Sequence, residues 1–95
     1  MVTLEQQLRP TEGLMGKDLG DEYLFYDSRT DKVHVLNETA RQLYLLCDGT
    51  RSVGEVVREF AATYRIDERT AQEDACAAIE QLLELGVLRR TRPPA

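Results

Sequence analysis

Apolar positions change their period once along this chain. Up to residue 36 they fall in short runs, and from residue 38 onward they recur every three or four residues. Residues 13–19 are the weakest strand candidate, because Gly16 interrupts them. Residues 22–27 (EYLFYD) are rich in aromatics and bounded by polar clusters, which predicts a strand. Asp27-Ser28-Arg29-Thr30-Asp31 reads as a turn. Residues 32–36 (KVHVL) carry two β-branched valines and predict a second firm strand. Their alternation leaves the inward face open: Val33 and Val35 share one face, His34 and Leu36 the other.

Three helices follow. Asn37 can cap the first, with Glu38 in its first turn and Ala40, Leu43, Tyr44, Leu46 and Cys47 on one face. Gly49 is the expected left-handed terminator. Ser52 and Glu55 have the spacing of a capping box, and Val53, Val56, Val57 and Phe60 carry a second helix to about Tyr64. Asp67 can cap a third, whose stripe runs through Ala71, Ala75, Ala78, Ile79, Leu82, Leu83 and Leu85 before Gly86 stops it. Val87 and Leu88 then add a short strand or pack back on the core. The fold class is therefore α+β: a winged helix-turn-helix-like domain with an N-terminal antiparallel three-stranded sheet followed by three helices. The domain is expected over residues 12–90, with a flexible segment at 1–11, where Pro10 marks its end, and a flexible tail at 91–95.

At 95 residues the chain holds one small domain, and 42% hydrophobic with 31% charged residues is a globular balance. The N-terminus lacks the apolar run of a secretory signal, and no stretch approaches a membrane span, so a cytoplasmic protein without membrane contact is expected. Cys47 and Cys76 fall at apolar helical positions and read as buried, reduced thiols. Two distant cysteines and one histidine do not make a zinc signature. His34, between two valines, reads as a packed or edge residue. No glycine-rich phosphate loop is present, and the carboxylates of the third helix lie opposite its apolar stripe, where a solvated face is the default. Neither an enzyme nor a cofactor is expected.

Charge decides between two kinds of partner. Residues 66–86 hold six acids (Asp67, Glu68, Glu73, Asp74, Glu80, Glu84) and one base, Arg69, which equals the whole net charge of −5. A helix entering a DNA groove must approach phosphates, mainly through Lys and Arg. Arg89, Arg90 and Arg92 would make only a short basic wing. The alternative to a DNA-binding regulator or purely structural module is peptide binding. If residues 32–36 lie at a sheet edge, their N–H and C=O groups are a template for an added strand. The flank of the third helix with Arg69, Gln72 and Cys76 would line the groove.

The strings LNETA, LCDG, SVGEVV and LLELGVL, in this order, resemble the PqqD-like family, also called RiPP recognition elements. The resemblance covers residues 13–90. It implies a three-stranded sheet followed by three helices, and a non-catalytic domain that binds the leader of a ribosomally made precursor peptide. It implies that the leader adds beside the last strand, with Lys32, Val33, His34, Val35 and Leu36 on one wall and Arg69, Gln72, Glu73 and Cys76 on the other. The implied partners are that precursor and a modifying enzyme such as a radical SAM protein, a cyclase or a leader peptidase. Pyrroloquinoline quinone is one product among several that the wider family serves. An exposed edge strand also invites self-pairing, so the protein is expected as a monomer or a homodimer.

Overall fold

The computed structural model describes residues 2–28 and 30–91. Arg29 of the expected turn, Met1 of the expected flexible segment, and Arg92 with the rest of the expected tail lie outside them. The described chain is α+β, in the order β1 (Leu8–Pro10), β2 (Met15–Asp18), β3 (Tyr23–Asp27), β4 (Lys32–Leu36), α1 (Glu38–Leu46), α2 (Val53–Tyr64), α3 (Glu68–Leu85) and β5 (Leu88–Arg90). Strands β2, β3 and β4 form the antiparallel meander.

Local chemistry sets most element ends. The Asn37 side chain accepts the Ala40 N–H at 2.9 Å, so β4 passes into α1 through one residue. Ser52 and Glu55 form the reciprocal box that opens α2. Asp67 accepts from Thr70 N–H and from the Thr70 hydroxyl at the start of α3. Gly86, at φ +81°, ends α3 in the left-handed region. Helix α1 stops earlier than Gly49 would have it: Cys47 is its C-cap, and its N–H bonds back to Leu43 and Tyr44.

The sheet meets the helices through three rings. Tyr23 stacks on Phe25 with centroids 4.6 Å apart, and Tyr44 of α1 lies edge-on to Phe25 at 4.8 Å. The Tyr23 ring also covers Gly16, where a Cβ would collide with it, which accounts for a glycine inside β2. Beneath the rings, Leu43, Val53, Val56, Phe60, Ile79 and Leu82 fill the core. Ala71 and Ala75 are fully buried on α3, and their small side chains let α2 approach it closely. At the other end of β2, Arg41 of α1 grips Asp18 with two bonds of 2.7 Å.

One feature departs from the sequence expectation. Residues 1–11 were expected to precede the domain, yet Leu8–Pro10 pairs antiparallel with Leu88–Arg90, and Leu8 is 1% exposed in the core. Thr91 N–H extends the ribbon by donating to Gln7 O. Its two strands are too short for alternation to be visible, and they come from opposite ends of the chain.

Candidate functional site

Among the described residues β4 is the last strand of its sheet and hydrogen-bonds to β3 alone. Its pairing is unbroken from Tyr23↔Leu36 to Asp27↔Lys32, with no bulge. Two devices hold it in register. At one end the Tyr26 hydroxyl donates to Asp31 Oδ1 at 2.6 Å across the turn, and that bond raises the phenol pKa. At the other end the Asn37 cap anchors the strand to α1.

The register settles the faces. Phe25 is buried and pairs with His34, so Lys32, His34 and Leu36 share the inner face, with Leu36 buried and His34 half-buried. Val33 and Val35 point outward and are 57% and 54% exposed. They end two cross-strand rows on the outer face, Met15–Tyr26–Val33 and Lys17–Leu24–Val35. Met15 is 71% exposed, so the outer face carries an apolar surface that reaches the free edge.

The other predicted residues lie on α3. Arg69 and Glu73 are exposed and pair with each other at 3.7 Å. Gln72 is exposed and lines a shallow groove with Leu4, Gly54 and Arg58. Cys76 is half-buried against the core. Gln72, Cys76 and Glu80 fall on one stripe of the helix. The chain's own N-terminal segment runs beside this stripe: Val2 N–H donates to Glu80 Oε1, and Leu4 O accepts from Gly54 N–H. The structure therefore gathers the five β4 residues along one edge, while Gln72 sits beside residues of the chain's own start. α3 packs chiefly on α2, α1 and β5, and β4 chiefly on β3 and then α1. Leu4 as a groove residue, and Met15, Leu24 and Tyr26 as outer-face neighbours of β4, were not picked out by sequence. Counting register across the turn from Phe25 would have found the last two.

The ionisable groups do structural work. Hydrogen bonds from Thr70 hold the Asp67 carboxyl below the usual carboxylate range, as expected of a helix cap. Burial pushes the Cys47 thiol up to about 12, and burial also raises that of Cys76. Both thiols are free. Among the described residues no group of three His, Cys, Asp or Glu could hold a metal ion, and no helix is long and apolar enough to cross a membrane.

Among the described residues, a three-helix α+β domain with an open, well-registered edge strand defines the class: a small winged-helix-like domain. The chain belongs to the PqqD family, described as coenzyme PQQ synthesis protein D, which it matches over residues 22–88. It is similar to a protein of Rhodopseudomonas palustris (strain BisB5) named PqqA binding protein, with 29% identity over 65 residues. That match takes in 68% of this chain and 64% of the relative, so the chain spans less than two thirds of the relative's length. Its fold is similar to that of a solved structure titled TbiB1 in complex with the TbiA(beta) leader peptide. The TM-score is 0.76 and the identity 16%, over 90% of this chain and 99% of the other.

Proposed function

We propose that this protein is a non-catalytic peptide-binding module. It holds the leader of a ribosomally synthesised precursor as an added strand on β4 and presents the rest to a modifying enzyme. The observation that carries this reading is the edge itself: five residues in unbroken register, paired on one side only among the described residues. The names of the relatives, one a PqqA binding protein and one seen with a leader peptide, support the same reading. Backbone pairing supplies affinity without regard to sequence, and side chains beside the strand supply selectivity. Lys32, Val33, His34, Val35 and Leu36 form the strand wall. On α3, Arg69 and Glu73 are open to the peptide, with Gln72 and Cys76 on the adjoining flank. Tethering raises the effective concentration of the core peptide at the enzyme to about the millimolar range. The enzyme would be a radical SAM protein, a cyclase or a leader peptidase, and pyrroloquinoline quinone is one candidate product. The reduced thiols and the ribosomal origin of the peptide suit the cytoplasm.

The test is a fluorescence-anisotropy titration with labelled leader peptides from short reading frames beside the gene, each against its scramble. Alternate residues of an edge strand aim their N–H at the free side, so Val33 and Val35 share one phase and His34 has the other. Proline at the outward phase should weaken binding about tenfold while circular dichroism stays native. Proline at the inward phase should cost fold stability instead. If folded variants of both phases bind like the wild type, strand addition on β4 is wrong.

A further inference from the structure

Two arginines from opposite ends of the chain face each other. The β1–β5 register sets Arg9 directly opposite Arg89. The bond from Thr91 N–H to Gln7 O continues that register and sets Gln7 opposite Thr91. Leu8 and Leu88 are buried in the core, so these four side chains share the ribbon's outer face. Like charges directly opposite each other destabilise a strand pair, and the fold does little to offset this one. Arg89 is exposed and makes no hydrogen bond or ion pair among the described residues. Arg9 meets one carboxylate, Glu12, at 4.0 Å, and that side chain is 79% exposed. The Arg9 stem runs past Gly49, but Asp48 of that turn is taken up by Thr50 and Arg51.

Two unpaired polar atoms lie on the same face. Arg9 Nε and Thr91 Oγ1 are buried and have no hydrogen-bond partner among the described residues. Native folds usually pair such groups. Nε–H can only donate and a hydroxyl can donate, so what both lack is an acceptor. The surroundings limit what that acceptor can be. The chain carries a net charge of −5, and Glu80 and Glu84 line a pocket with Arg90, the next residue along β5. A nucleic acid would bring many negative charges against that surface. A carboxylate brings one, and its two oxygens match the fork of a guanidinium.

We propose that the outer face of the β1–β5 ribbon is a binding site in which Arg9 and Arg89 together clamp a side-chain carboxylate of an acidic peptide segment. The Arg9 side chain is 42% exposed, so a small turn of its head brings Nε–H and one Nη–H to the carboxylate as a fork. Arg89 closes on the same group from the facing strand, and the Thr91 hydroxyl is the next donor along the face. The bound charge offsets the repulsion between the two arginines, so the ribbon is more stable with its ligand than without. Because Leu8 ties the same ribbon to the core, binding there tightens the joint between the two ends of the chain. None of these residues belongs to β4, so the site stands whether or not β4 takes a leader.

The experiment follows the arginine Nε–Hε signals of the whole chain by proton–nitrogen correlation spectroscopy. The probe is a capped tetraglutamate peptide, with the tetraglutamine peptide as its control. It is titrated to about 10 mM at about 50 mM salt, where screening is weak. The Arg9 and Arg89 signals should move together and saturate with one Kd, and the glutamine peptide should move neither. Arg89→Gln should weaken binding about tenfold. Arg65→Gln, the same charge change at the exposed end of α2, should leave it unchanged. Thermal melting gives a second readout. Without peptide, Arg89→Gln should melt above the parent, because the repulsion is gone. With peptide, the parent midpoint should rise and that of Arg89→Gln should stay. The proposal is overturned if neither signal moves, if Arg89→Gln binds the peptide as tightly as the parent, or if it melts below the parent without peptide. It is also overturned if inorganic phosphate or oligothymidylate moves the two signals at lower concentration than the peptide does, since the site would then be one for phosphate.

Discussion

Replacing Leu8 with alanine tests whether the N-terminal strand belongs to the domain. The side chain is 1% exposed, on a strand paired with Leu88–Arg90. Removing a buried leucine costs its transfer free energy plus that of the cavity left behind, about 2–5 kcal/mol. A domain this small sits near the low end of the usual stability, about 5 kcal/mol. A loss of about 3 kcal/mol would therefore take more than half of it. At about 4–8 °C per kcal/mol for a domain of this length, the midpoint temperature should fall by about 12–24 °C. In urea, with a slope of about 1–2 kcal/mol per molar, the midpoint should fall by about 1.5–3 M with the slope unchanged. Leu4→Ala is the control: Leu4 is partly exposed, and its truncation should stay within about 1 kcal/mol. The assay is urea unfolding followed by circular dichroism on all three proteins. If Leu8→Ala unfolds within about 0.5 kcal/mol of the parent, residues 8–10 are an appendage and the β1–β5 ribbon contributes nothing to the core.

Two further outcomes come from the ionisable groups. Thiolate is the species that attacks a disulfide reagent. The folded protein should therefore be labelled first at half-buried Cys76, and at Cys47, held up to about 12 by burial, only on global opening; equal native rates would refute this. The Arg41 fork holds the Asp18 carboxyl down to about 2 from its ordinary 3.8. A lowered pKa gives stability that is complete above the unfolded value and lost as pH falls through the folded one, here between 3.8 and about 2. Asp18→Asn should flatten the urea midpoint against pH in that window; parallel acid limbs for variant and parent would show that the pair contributes nothing.

What was legible in the sequence was mostly local. Asn37, Ser52 with Glu55, Asp67 and Gly86 announce helix ends because a cap is a bond between near neighbours, and each is where it was expected. β4 has the expected limits because two valines between a turn and a cap leave it little room to move. Contacts between distant residues were not legible. Leu8 had no visible partner, since Leu88–Arg90 is as short as its own strand. The inward face of KVHVL stayed open because both of its faces are apolar, and only the pairing of Phe25 with His34 decides it. The flank of α3 with Gln72 could be drawn from helical spacing, but not that Val2 and Leu4 run beside it, because those contacts span most of the chain.

The pairing of the first strand with the last imposes an order on synthesis. Leu8 is translated before Leu88–Arg90 and has no strand to bond with until those residues have left the ribosome. Until then a site for a buried leucine stands open, and the C-terminal turn of α3 lacks the ribbon that follows it. Such late, long-range closure is slow compared with the local meander and helices. The growing chain can thus form its edge strand before it can close its core, and for that interval β4 is an exposed template on an unfinished domain.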